Sequence, residues 1–150
     1  MTGHAGDAWR RDALVDREVF GRRLAHLETV LRQLRQLAIV ERTRFLADAG
    51  LQAQAERWLQ VAAECALDLA NHVISDRGWR IPTTNRDAFR ILREQGVLDE
   101  ALGKVMEGWA GLRNILTHLY LEVDHARLHH TLTTELDSLE QYVAAVTKLV

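Results

Sequence analysis

The stretch LQAQAERWLQVAAECALDLANHV, residues 51–73, decides the fold. Leu51, Ala55, Trp58, Ala62, Cys65, Leu69 and Val73 recur at near-heptad spacing, which a helix gathers on one face and a strand would scatter over two. The many alanines let a second helix approach closely, as a bundle core requires, and the pattern is expected to stop before Gly78. Glu64, Asp68 and His72 form a polar stripe at successive spacings of four. Two readings of that stripe stand side by side. It is a solvated face with ordinary ion pairs, or it supports a site, with Asp68 orienting Arg113 or His118 as carboxylates do for active histidines.

Upstream, Phe20, Leu24, Leu27, Leu31, Leu34 and Ala38 alternate spacings of four and three, which predicts a long amphipathic helix from Val15. Residues 1–13 are small and polar without a sustained period and are expected to form a flexible lead, leaving 14–150 as one domain. Between Ile39 and Asp48 the period shifts around Phe45 and Leu46, so a short helix or a bent continuation belongs there. Downstream, residues 77–85 hold the chain's only proline, Pro82, and form its main loop. Thr84, three residues before Asp87, caps a shorter helix carrying Phe89, Ile91 and Leu92 and ending at Gly96. Arg86, Arg90 and Arg93 share a face of it, and Arg77 and Arg80 come from the loop. These five arginines are either solvated charge or an electrostatic lane for an RNA backbone.

Leu98, Leu102, Val105, Trp109, Leu112 and Leu116 mark a third long helix. It holds Gly103, Gly108 and Gly111, each costing about 1 kcal/mol relative to alanine in an exposed helix. Close packing of another helix or of a second subunit against that side, or a local break, would account for them. A last helix carries Leu128, Leu132, Leu136, Leu139, Val143, Val146 and Val150. No strand-like alternation of useful length occurs, so the fold class is all-α, a bundle of about four main helices with one or two short ones.

With 150 residues, 47% hydrophobic and 27% charged, the chain has the makings of one ordinary core. Cys65 is the only cysteine, so neither a disulfide framework nor a four-ligand zinc site is expected within one chain. No run approaches the roughly 18 apolar residues of a membrane span, and no secretory signal opens the sequence, so a cytoplasmic protein without membrane contact is expected. The net charge of -2 argues against a generally polybasic binder while leaving room for a local basic groove.

The chemistry concentrates in RNILTHLY, residues 113–120. Histidine carries protons near neutrality, and arginine offers a planar donor fork matched to phosphate, so together they point to a phosphodiester. Helical geometry aligns Arg113 with Tyr120 but turns His118 about 140° from Arg113. Three ways around this exist: the arginine reaches around, the helix ends near Thr117, or His118 meets an arginine of a second copy. Plainer roles also stand: His118 capping carbonyls, Arg113 paired with Asp68 or Glu64, Tyr120 a core aromatic with a wet tip. His125 and His129 have a two-histidine metal spacing but no accompanying zinc motif, so neither a metal nor a cofactor is expected.

An arginine followed directly by asparagine, then a histidine five residues on and a tyrosine two beyond it, resembles the motif of HepT-type toxins of the HEPN superfamily. The likeness extends to residues 59–72, to Ile81-Pro82 with Asp87-Ala88-Phe89 and Leu92, and to Gly96-Val97-Leu98-Asp99. It covers about Val15 to Val150. It implies a HEPN-type four-helix bundle with one or two additional short helices, acting as a homodimer with a composite cleft. The activity implied is a metal-independent endoribonuclease on tRNA or mRNA, encoded beside an MntA-like nucleotidyltransferase antitoxin that silences it by transferring AMP to the motif tyrosine. Arg113 and His118 match the catalytic pair, Asn114 the polar residue after the arginine, and Tyr120 the modified tyrosine. Leu112 stands where the family often has an aromatic residue. Two rival classes remain: a noncatalytic HEPN module that partners a nucleotidyltransferase or binds nucleotide, and a plain helical dimerisation protein.

Overall fold

The computed structural model describes the backbone of residues 3–118 and 122–149, and the side chains of 16–118 and 122–149. Seven helices follow in order among them: α1 Gly3–Ala38, α2 Arg42–Ala47, α3 Ala49–Asp76, α4 Asn85–Glu94, α5 Glu100–Thr117, α6 His125–Thr134 and α7 Leu136–Thr147. The described residues contain no strand, and the all-α bundle is the one the periodicities predict. α1 begins at Gly3, inside the stretch expected as a lead.

α3 is the central helix. Its buried set includes Ala55, Ala62, Ala63, Ala66 and Ala70, and this small-residue surface lets α1, α4 and α5 all pack against it. Asp48 starts it by accepting from the Leu51 amide at 3.1 Å. At its end the Trp79 amide returns to the Ile74 carbonyl at 3.0 Å, with Gly78 at φ +65° making the reversal that a side chain would strain. α2 is the short helix expected between the first two long ones, and it buries Phe45.

The predicted cap of α4 is present: the Asp87 amide donates to Thr84 Oγ1 at 3.0 Å. Asp87 itself is buried and takes a bidentate fork from Arg80, Nη1 at 2.7 Å and Nη2 at 2.9 Å, together with the Thr83 amide at 3.0 Å. That lock fastens the 77–84 loop to the first turn of α4. The helix then lies along α5, and two of the three α5 glycines are explained by it. A Cβ at Gly103 would come within 3.0–3.2 Å of the Arg93 stem, and one at Gly111 would run into the Arg86 guanidinium. Gly108 instead faces open space.

One element differs from the sequence reading. The single last helix expected from Leu128 to Val150 is interrupted at Glu135, which separates α6 from α7. Thr131, Thr133 and Thr134 hydroxyls bond back to the carbonyls of Arg127, His129 and His130, and such back-bonding bends helices. Ser138 then donates to the Glu135 carbonyl and accepts from Trp109 Nε1 at 2.9 Å, which holds the bend against α5. Apolar spacing alone runs straight through such a break.

Candidate active site

α5 ends where the motif requires a change of direction. Thr117 is its last residue, its hydroxyl bonded to the Arg113 carbonyl at 2.8 Å, and His118 is the C-cap with φ -98° and ψ 57°. The His118 amide donates to the Ile115 carbonyl at 3.1 Å, a tightened final turn. His118 is exposed, and its ψ of 57° turns the chain after it out of the helical course. Of the three ways around the helical offset between Arg113 and His118, a helix end near Thr117 is the one observed. Tyr120 lies outside the described residues.

Arg113 projects into an open cleft of about 310 Å³ lined by Glu64, Leu67, Asp68, Asn71 and Asn85. Four of these stand on α3 at spacings of three and four, so one helix face supplies that whole wall. Arg113 Nε lies 3.8 Å from Glu64 Oε1, with the two side chains 32% and 39% exposed. A pair so long and so wet contributes little and is readily exchanged for another anion. Glu64 also accepts from Gln60 at 3.3 Å. Asp68 shares the cleft, but the carboxylate paired with Arg113 is that of Glu64. His72, the third residue of the polar stripe, turns elsewhere and packs its ring on Phe20 at 5.3 Å.

α4 closes the other side. Asn85 Nδ2 donates to Asn114 Oδ1 at 3.3 Å, which joins the first residue of α4 to the motif. Asn71 was not singled out in the sequence, although its place three residues after Asp68 puts it beside the polar stripe. Asn85 was not readable there, because only packing brings α4 to this place.

Most of the five arginines proposed for an RNA lane are engaged within the chain. Arg80 serves Asp87 and Glu94, Arg90 reaches Glu107 at 3.1 Å, Arg93 approaches the same Glu107 at 3.8 Å, and Arg77 donates to the Leu149 carbonyl at 3.1 Å. Arg86 makes no ion pair or hydrogen bond among the described residues and lies over Gly111. The histidines of α6 part company: His125 Nε2 meets Glu56 Oε1 at 2.8 Å, while His129 Nε2 meets the Val40 carbonyl at 3.2 Å, its ring against Phe45.

An all-α bundle that carries an arginine near the end of one helix and a histidine at its cap, beside a polar wall from the central helix, is the arrangement the HEPN resemblance implies. The chain belongs to the HepT-like ribonuclease family: the sequence pattern described as "Ribonuclease HepT-like" matches residues 27–146. Its relatives include the mRNA nuclease HepT of Shewanella oneidensis, 26% identical over 124 residues, or 83% of this chain and 92% of that protein. The tRNA nuclease HepT of Aphanizomenon flos-aquae is 27% identical over 129 residues, 86% of this chain and 83% of that one. Among solved structures, the tri-AMPylated HEPN toxin of Shewanella oneidensis in complex with the MNT antitoxin superposes with a TM-score of 0.80 at 25% identity, over 87% of this chain and 97% of that one.

Proposed function

We propose that this chain is the toxin of a toxin–antitoxin pair and cuts RNA without a metal, through Arg113 and His118. The observation that carries the reading is the end of α5. There a weakly committed guanidinium borders an open cleft, and an exposed histidine stands at the helix cap five residues later. RNA brings its own nucleophile. The ribose 2′-hydroxyl loses its proton and attacks the adjacent phosphorus, the bond to the 5′-oxygen breaks, and that oxygen takes up a proton. The products are a 2′,3′-cyclic phosphate and a 5′-hydroxyl. His118 serves as general base or acid, and Arg113 neutralises charge on the pentavalent phosphorane. Asn114, tied to Asn85, and Asp68 on the facing wall support the pair.

The cleft of one chain has two carboxylates, Glu64 and Asp68, against one paired arginine. That balance favours a composite site in a homodimer, where a second chain adds cationic charge. Val105 and Ile115, 37% and 42% exposed, flank the open Gly108 on α5 and offer a flat apolar face for the second copy. The names of the relatives support tRNA or mRNA as substrate, and the AMPylated complex supports an MntA-like nucleotidyltransferase partner with Tyr120 as acceptor. A bulky, anionic AMP beside the cleft would obstruct RNA and mimic its phosphate. Cytoplasmic action fits a chain in which no described helix is long and apolar enough to cross a membrane.

The test is RNA cleavage by wild type, Arg113→Ala and His118→Ala in the presence of a chelator. Cleavage by wild type alone, with a 2′,3′-cyclic terminus and unchanged oligomer size, is expected. Full cleavage by His118→Ala would remove the assignment, and an inert wild type that still binds a nucleotidyltransferase would establish the noncatalytic module.

A further inference from the structure

We infer that Arg86 is a second phosphate-binding arginine of this cleft, holding the RNA backbone next to the scissile phosphate; the inference rests on the ribonuclease reading above. Three observations lead to it. Arg77, Arg80, Arg90 and Arg93 are held by carboxylates or a backbone carbonyl, whereas Arg86, exposed on the first turn of α4, makes no such contact among the described residues. Its guanidinium occupies the space that a side chain at position 111 would fill: a Cβ there would stand 3.1 Å from Cζ and 3.7 Å from Nε, and closer still to Nη2. Asn85, its immediate neighbour, both lines the Arg113 cleft and bonds to Asn114 of the motif. The guanidinium thus lies against α5 at Gly111, two residues before Arg113 and three before Asn114, beside the Asn85 that lines the cleft.

Glycine at 111 carries a conformational cost inside a helix. Here its gain is a channel that lets a long cation lie flat against α5. A guanidinium held in this way loses less freedom when it clasps a phosphate than one waving in solvent. It also adds positive charge beside a cleft that holds Glu64 and Asp68. Arg86 is therefore a binding residue and takes no proton in the reaction.

The experiment measures binding of a 2′-O-methyl oligoribonucleotide, which lacks the attacking hydroxyl, to wild type, Arg86→Ala, Arg86→Lys and Gly111→Ala across a salt series. Arg86→Ala is expected to bind about fivefold more weakly, with the slope of log affinity against log salt shallower by about 0.7, the value for one lost contact on a single strand. Gly111→Ala keeps the charge but pushes the guanidinium off the helix, so affinity falls while the salt slope stays close to wild type. Arg86→Lys falls between them. In cleavage assays KM rises more than kcat falls. Equal affinity and slope for wild type and Arg86→Ala would overturn the inference while leaving the ribonuclease reading intact. A wild type that neither binds nor cuts RNA would overturn both. A lowered melting temperature in Arg86→Ala with unchanged binding would also overturn it, by showing a packing role.

Discussion

Asp87→Asn is the perturbation whose size the structure states most directly, because one buried carboxylate fixes α4 and hence Asn85 at the cleft and Arg86 against Gly111. The Asp87 side chain is 5% exposed and accepts two short bonds from Arg80, one from the Thr83 amide and one from the Thr83 hydroxyl. Asparagine preserves the volume but presents an amide donor to a set of donors. A charged hydrogen-bond fork contributes about 1.5–3 kcal/mol. Arg80 is half in solvent and keeps Glu94, which places the expected loss near the lower part of that range, about 2 kcal/mol. For a chain of this length that corresponds to a fall in Tm of about 4–8 °C. The pH dependence gives an independent check. The Arg80 guanidinium and the Thr83 amide hold the Asp87 carboxyl well below the usual carboxylate range. A depressed folded value contributes stability that is fully present above the unfolded value, about 3.9, and is lost as pH falls below it. Thermal melts from pH 8 to pH 2.5 should therefore show a constant gap between wild type and Asp87→Asn down to about pH 4, narrowing below. A variant melting within 1 °C of wild type at neutral pH, or a gap that persists undiminished into strong acid, would refute the account of α4 as locked by this carboxylate.

Three further outcomes are expected. Glu64→Gln should change stability by less than about 1 kcal/mol, since its partner is distant and wet, and should lower KM for RNA by about threefold by removing like charge near the phosphate, as steady-state kinetics would show. Tyr142→Phe removes a buried hydroxyl that donates to the Ala66 carbonyl at 2.7 Å and should cost about 1 kcal/mol, read as a Tm lower by about 2–4 °C. Burial, with the charges of Asp68 and Glu64, pushes the Cys65 thiol up to about 11, so iodoacetamide at pH 8 should label the native protein far more slowly than the urea-unfolded one; equal rates would contradict the packed α3 face.

Much of the fold was legible in the sequence because helices announce themselves locally. The spacings of Phe20 to Ala38 and Leu51 to Val73 need only a 3.6-residue period and one apolar face, and the cap at Thr84 needs only a side chain three residues from an amide. The break at Glu135 was missed because hydroxyl back-bonding by Thr131, Thr133 and Thr134 leaves the apolar spacing unchanged. The motif from Arg113 to Tyr120 was visible as residue types in order. Its geometry was not, since periodicity does not say where α5 ends, and the end at Thr117 with His118 as the cap is set by the final turn itself.

By itself the sequence determined where most of the helices lie, which faces are apolar, and which residues are chemically suited to a phosphodiester; these depend on neighbours within one or two turns. The tertiary structure decided which charges meet. It gave Arg113 to Glu64 and not to Asp68, committed Arg80, Arg90 and Arg93 to acidic partners, brought Asn85 to Asn114 from another helix, and set Arg86 in the gap left by Gly111. Those outcomes arise from side chains far apart along the chain competing for the same few ångströms, and the period of a sequence carries no information about that competition.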